Sequence, residues 1–357
     1  MLLRACPRTY LLLVLLVTGG TGCKRGPERV FEFSTDASSR AGLVALEDGV
    51  LVGNEAGALV RLDQRGEPVW RVKLGQEVAA RPTVSGDSVL AGTVGGELVR
   101  LGLVDGAERW RLTGEPPVLT ELVSDDTSVY VLGPDGAVRA HALDTGQVRW
   151  RRPAPKAEES HLESGQRLPA PALSGGVLVV SLGDAGLAGL STEDGEVRWR
   201  QPMGQLLGMT REGDTLYLSM RTGKMAAVGM ADGALRWEQS PASVLTSPPT
   251  YVQGVLWVGT EPPQLLAVSP SDGRRLSSIT LPSPLVTQLA VHGEQLVVPT
   301  SGREGWVLAL RRQGGAPVLT LRTDTPVRTQ PVVLGDQLFV LGLDGRVLSW
   351  SLRPPEP

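Results

Sequence analysis

Apolar and polar residues alternate with a period of two in short runs along most of the chain. Eight such runs recur: GALVRL from Gly57, GELVRL from Gly96, GAVRAHAL from Gly136, GLAGL from Gly186, GKMAAV from Gly223, QLLAV from Gln264, WVLAL from Trp306 and GRVLSW from Gly345. Period-two alternation bounded by Gly, Asp-Gly or Thr-Gly predicts short antiparallel strands joined by tight turns, with glycine supplying the positive φ that other residues resist. A second apolar run precedes these, as in VLAG at 89–92, VYVL at 129–132 and LWVGT at 256–260. Before that stands a third, often entered through proline, as in ARPTV at 80–84, TSPPTYV at 246–252 and TQPVVL at 329–334. With one more strand after each glycine turn, the unit has four strands.

That last strand carries a marker. Trp70, Trp110, Trp150, Trp199 and Trp237 each stand four residues after a glycine, at spacings of 40, 40, 49 and 38, in RGEPVW, DGAERW, TGQVRW, DGEVRW and DGALRW. Two further copies keep the glycine and lose the indole: Gly273 is followed by Ser277, and Gly314 by Val318. Composition agrees, since the 8 Trp outnumber the 3 Phe and 4 Tyr together, a usage that fits one repeated structural role. A buried indole covers about 150–250 Å² and its N–H can satisfy a neighbouring carbonyl, so one per unit predicts a repeated lock between units. The locks are expected to be weakest at the sixth and seventh units. Trp257 and Trp306 lie off the marked position and are expected in the core or lining a channel, and Trp350 in the core.

A four-stranded unit of roughly 42 residues is the size of a propeller blade. The expected fold is therefore all-β, an eight-bladed β-propeller of four-stranded antiparallel blades over residues 28–357. The last copy, Gly345 to Leu352, has no strand after it, and residues 28–34 have the outer-strand pattern with nothing before them. An N-terminal strand completing the last blade would join first and last blades by hydrogen bonds and leave no open seam. A length of 357 residues, which alone suggests two or three domains, then belongs to one ring.

Residues 1–22 read as an export signal: Arg4 and Arg8 precede the apolar stretch Leu11 to Val17, which is too short to cross a bilayer. Small residues from Thr18 to Gly22 lead to Cys23. This resembles the lipobox of bacterial lipoproteins, with Gly20 where an aliphatic residue is usual. The resemblance implies cleavage before Cys23, acylation of that residue and a short linker over 23–27. Several acyl chains give near-permanent membrane attachment. Lys24 in place of Asp implies the outer membrane, on its periplasmic face. The other cysteine, Cys6, lies within the signal, so no pair remains for a disulfide.

Alternating strands, small-residue turns, G-x-x-x-W and a period near 40 resemble the PQQ-like repeat. With eight blades, a lipobox and no added domain, the chain resembles the BamB family of lipoproteins in the machinery that assembles outer-membrane β-barrels. The resemblance covers nearly all of the chain after residue 22. It implies a non-catalytic scaffold, monomeric within a complex, whose partners are envelope proteins, the barrel-forming subunit and its POTRA domains. In the family, apolar and Arg residues of the loop entering the fourth blade make that contact. Here the polar insertion from Arg151 to Arg167 accounts for the 49-residue spacing, and Leu162 and Arg167 are the matching candidates. The family's acidic contribution from the next interblade loop has no counterpart in residues 201–210, which lack Asp and Glu. A lipoprotein propeller with another envelope role, organising a secretion system or wall polymer or sensing, is the alternative.

The repeat also occurs in quinoprotein dehydrogenases, and that resemblance would imply PQQ over a Ca²⁺ held by hard oxygen ligands, a carboxylate base and a vicinal disulfide. The chain has no Cys-Cys pair and no C-x-x-C-H for haem, so no catalytic residue, metal site or cofactor is expected. His141, His161 and His292 are the only histidines, none at metal-ligand spacing from another, and each is expected as a surface or satisfied strand residue. There is no G-x-S-x-G and no phosphate loop, and the Asp-Gly turns lack calcium-ligand spacing. A formal charge of -3, more acidic once Arg4 and Arg8 are removed, gives no electrostatic ground for binding nucleic acid.

Overall fold

The computed structural model describes residues 27–154, 168–242, 244–314 and 316–353. Among them, 32 strands, numbered in chain order, form eight separate four-stranded antiparallel sheets. Blade 1 comprises β2 (Leu43–Leu46), β3 (Gly49–Gly53), β4 (Ala58–Asp63) and β5 (Pro68–Lys73), and blades 2 to 7 likewise use consecutive strands. Blade 8 joins β30 (Val332–Leu334), β31 (Gln337–Leu341) and β32 (Arg346–Ser351) to β1 (Arg29–Ser34), in the order β1-β32-β31-β30. The two ends of the chain thus share one sheet, and the ring closes as the terminal patterns imply.

Burial within a blade follows from its place between two others. In blade 1, β3 is buried throughout, β4 is buried except for Asp63, and β5 buries only Trp70. Middle strands covered on both faces read as nearly continuous apolar runs, and outer strands alternate. The core is accordingly a set of layers between blades: Leu51, Leu59 and Trp70 of blade 1 pack against Val89, Val99 and Leu101 of blade 2.

One cross-strand row per blade faces the next blade. In blade 1 the row is Val44, Leu51, Arg61 and Trp70, and in blade 5 it is Thr210, Tyr217, Ala227 and Trp237. The five marked indoles are 8–9% exposed. Each donates its Nε1–H to a carbonyl in the turn between the third and fourth strands of the following blade: Trp70 to Leu103 (3.0 Å), Trp110 to Leu143 (2.9 Å), Trp150 to Thr192 (2.9 Å), Trp199 to Met230 (3.2 Å) and Trp237 to Pro270 (2.8 Å). The ring face lies on that turn's glycine. A methyl group on Gly273, whose φ is +73°, would stand 2.6 Å from Trp237 Cε3. Glycine is therefore required twice, for the turn and for the ring above it.

The remaining slots depart from the sequence expectation in informative ways. Blade 6 has the row Thr250, Trp257, Ala267 and Ser277, so its indole has moved inward by two strands and Ser277 is exposed. In blade 7 the marked place belongs to Leu319, paired with Ala309, and not to Val318, which is 48% exposed. Gly314 comes one residue earlier relative to the paired strand than the equivalent glycines, so counting four from it stops one residue short, at a position facing solvent. Blade 8 fills its slot with Phe31, which packs edge-on against Phe339 at 5.9 Å and lies over Gly66. Trp257 and Trp350 are core, at 2% and 4% exposure. Trp306 begins the third strand of blade 7 beneath the Arg322 guanidinium, and none of the three stands on a channel-lining strand.

The locks give a direct comparison. Trp237→Ala should cost about 3–5 kcal/mol and Ser277→Ala under about 0.5 kcal/mol, read from denaturant midpoints. Equal losses would mean that the indoles do not hold neighbouring blades together.

Candidate functional site

The disc has two faces. One carries the turns between first and second and between third and fourth strands; the other carries the second-to-third turns and the interblade loops. On the latter, the chain enters each inner strand at the channel mouth. There, Arg81 grips Glu121 with Nε donating to Oε1 at 3.0 Å and Nη2 donating to Oε1 and Oε2 at 2.8 and 2.9 Å. Across the mouth, Gln330 donates to the Leu289 carbonyl at 3.0 Å, and Gln288 donates to the Thr210 hydroxyl at 2.7 Å and the Pro249 carbonyl at 3.0 Å. These polar side chains surround a cavity of about 230 Å³.

A quinone over calcium needs several free hard oxygen ligands. The carboxylate lining this mouth is taken up by Arg81, and the described residues contain no group of three His, Cys, Asp or Glu able to hold a metal. The residues present do not fit a PQQ and calcium centre.

Two perturbed groups lie between blades. Burial, reinforced by the Asp125 carboxylate that accepts its O–H at 2.6 Å, pushes the Tyr130 phenol up to about 12. Tyr130 is 1% exposed and serves packing. His141 is fully buried, with Nδ1 3.0 Å from the Gly146 carbonyl, and Nε2 lacks a hydrogen-bond partner 3.8 Å from Glu115 Oε2. Only half of it is the satisfied strand histidine that the sequence suggests. Burial pulls its pKa down, and Arg139 and Arg151 add to this against the Gly146 carbonyl and Glu115. His292 meets the expectation, 3.0 Å from Asp336 on the surface.

Cys23, Leu162, Arg167 and His161 lie outside the described residues. At the base of the long insertion, Arg152 ends the outer strand of blade 3. Burial and the nearby Arg200 guanidinium lower its pKa, so two positive groups face each other there. At blade 6, where the sequence leads one to expect a weak lock, a cavity of about 280 Å³ lies beside Ser277, with a wall that includes Val255, Trp257, Ala267 and Leu276. Its only sequence signal was the lost indole. No helix among the described residues is long and apolar enough to cross a membrane.

The sequence profile of the family described as outer membrane protein assembly factor BamB matches residues 55–214, 221–310 and 267–353. The chain belongs to the BamB family. Outer membrane protein assembly factor BamB of Shewanella oneidensis is 26% identical over 317 residues, 86% of this chain and 70% of that protein. The matched stretches span between 30% and 71% of the curated relatives' own lengths. Among solved structures, BamB from Moraxella catarrhalis superposes with a TM-score of 0.75 at 18% identity, over 91% of this chain and 99% of that one. Quinohemoprotein alcohol dehydrogenase from Comamonas testosteroni superposes with a TM-score of 0.74 at 13% identity, over 92% and 78%. Both likenesses are of fold.

The buried histidine predicts a pH dependence. An unfolded imidazole takes up its proton near pH 6.5, above the lowered value of His141 in the ring, so the unfolded chain binds more protons in that window. Stability present above about pH 6.5 should be lost as pH falls towards the folded value. The melting temperature should drop less steeply on acidification in His141→Asn than in the parent; parallel slopes would exclude His141 as the source.

Proposed function

We propose that this chain is a non-catalytic scaffold of the machinery that assembles outer-membrane β-barrels, held on the periplasmic face of the outer membrane by acyl chains on Cys23. In this reading residues 1–22 are removed, residues 23–27 form the linker, and the single propeller follows. Membership of the BamB family carries the reading, and the relatives' designation as outer membrane protein assembly factors supports it. The channel mouth supports the absence of catalysis, because its carboxylate is neutralised by a bidentate guanidinium and the donors around it are bonded to backbone. A ring of this kind presents rigid turns and loops to partners.

The partner in this reading is the barrel-forming subunit, contacted through its POTRA domains by the insertion entering blade 4, with Leu162 and Arg167 as contact residues. The Arg200 guanidinium near that of Arg152, which ends the outer strand before the insertion, favours an acidic partner surface. Crosslinking of tagged chain in intact envelopes should recover that subunit. If it is missing while known neighbours are captured, the assembly reading is wrong. The anchor has a separate test: Cys23→Ser should move from the membrane to the soluble fraction, and retention in the membrane would rule out acylation at Cys23.

A further inference from the structure

We infer that the cavity between blades 6 and 7 is a docking site for an aromatic side chain carried on an extended, acid-flanked segment of a client chain. The identity of the client rests on the assembly reading; the chemistry of the site rests on the ring itself. Among the described residues, seven glycines stand in the turns between third and fourth strands, one in each of blades 1 to 7. A methyl group placed on six of them, Gly66, Gly106, Gly146, Gly195, Gly233 and Gly273, would stand 2.4–3.2 Å from an aromatic ring of the preceding blade. On the seventh, Gly314, it would meet, among the described residues outside its own turn, only Ile279 Cγ1 at 3.9 Å. The fold thus repeats one receptor, an aromatic face on a bare glycine, and leaves one copy open. Its volume of about 280 Å³ exceeds the roughly 150 Å³ of an apolar cavity that takes up benzene.

Turn geometry specifies which ring. In the five turns that accept an indole N–H, the glycine N–H donates four residues back, to Gly102, Ala142, Ser191, Gly229 and Ser269, which frees the carbonyl three residues back for the indole. In the two others the glycine N–H takes the carbonyl three residues back, Gly66 that of Asp63 at 3.1 Å and Gly314 that of Arg311 at 2.9 Å. Gly66 carries Phe31, a ring with no N–H to place. The open slot has the same turn and so suits a phenylalanine or tyrosine ring better than an indole.

Three features point to a client and against an empty defect. Trp257 forms part of the wall, is 2% exposed, and has a buried Nε1 without an acceptor, a costly state that a bound tyrosine hydroxyl or strand carbonyl would relieve. Beside the slot, β25 (Arg275–Thr280) is the terminal strand of its sheet with five of six residues exposed, so an extended segment can add to its free edge. The charges near the slot are mostly paired, Arg274 with Asp272 and Arg312 with Glu294, and exposed Arg275 of β25 donates to the Ser278 hydroxyl with no acidic partner among the described residues. A carboxylate on a segment added to the edge of β25 can meet Arg275. Strands destined for outer-membrane barrels carry aromatic residues at both membrane interfaces, which is the ring this slot takes.

The test uses the full chain and a ten-residue peptide of alternating Thr and Ala with a central Phe followed by Glu, against the same peptide with Ala for Phe. The Phe peptide should bind at least about tenfold more tightly and shift the Trp257 indole N–H resonance. Ser277→Phe, which supplies the missing ring from within, should raise the melting temperature and weaken peptide binding about tenfold. Ser277→Leu, imitating Leu319 in the next blade, should weaken it as well and stands in if the Phe variant does not fold. Equal affinity for both peptides, an unmoved Trp257 resonance, or unchanged binding in the filled variants would overturn the inference. Recovery of the barrel-forming subunit from envelopes alongside any of those results leaves the assembly reading standing and removes only the docking site.

Discussion

An aromatic ring from the outer strand of one blade rests on a glycine in the next, and most of the interfaces around the disc are sealed by that contact. The geometry couples three requirements in one place. The turn must reverse the chain, which asks for positive φ; its surface must lack a Cβ, so that a ring can lie flat; and one of its carbonyls must remain free when the ring is an indole. Glycine meets the first two, and the choice of turn, with the hydrogen bond drawn from three or four residues back, meets or declines the third. The arginines of blades 1 and 2 extend the same device: Arg61 and Arg100 stand beside Trp70 and Trp110 in their rows and donate to the same Leu103 and Leu143 carbonyls, at 3.2 and 2.9 Å.

Closure depends on a second constraint, the sharing of blade 8 between both ends of the chain. β1 pairs with β32 from Ser34↔Arg346 to Arg29↔Trp350, Arg29 lies over the Trp350 ring at 5.5 Å, and Arg346 reaches Glu32 at 2.9 Å. Phe31 then seals blade 8 against blade 1, so the strand that completes the last sheet also fills its lock. No free sheet edge remains at the seam to recruit another chain, and the edges left are the outer strands on the rim.

The ring was legible because its signals are local and repeated. Alternation, Gly-x-x-x-Trp and the spacing all live within about ten residues, and eight copies average out the exceptions. The exceptions were hidden for the same reason. Leu319 could be told from Val318 only by its pairing with Ala309, and Phe31 looked unremarkable until the closed sheet placed it over Gly66. Trp257 replaces Ser277 across two strands of one row, a substitution visible only in the pairing. The Arg81 and Glu121 clamp joins residues 40 apart in adjacent loops, and His141 gains its partly buried acidic neighbour from the preceding interblade loop. Neither leaves a local pattern. Leu162 and Arg167 come from family resemblance, and they fall outside the described residues.

A ring can carry one unsealed interface more safely than an open stack can. In a linear array each interface is the sole connection between what lies on either side, and a weak one divides the molecule. In a closed ring, parting blades 6 and 7 would leave them joined the long way round through seven other interfaces, and the strand pairing of β1 with β32 resists that opening. The vacancy at Ser277 is offset further by Trp257, which packs with Leu281, Leu296, Val298 and Leu308 in the same interblade layer. Loss of the lock therefore costs local order more than global stability, and a position freed from sealing the ring can be used for contact with another chain. Fold and function part company at such positions: the repeat specifies the disc, and the slot at Ser277, with a glycine turn opposite but no ring on it, is where the two are no longer tied.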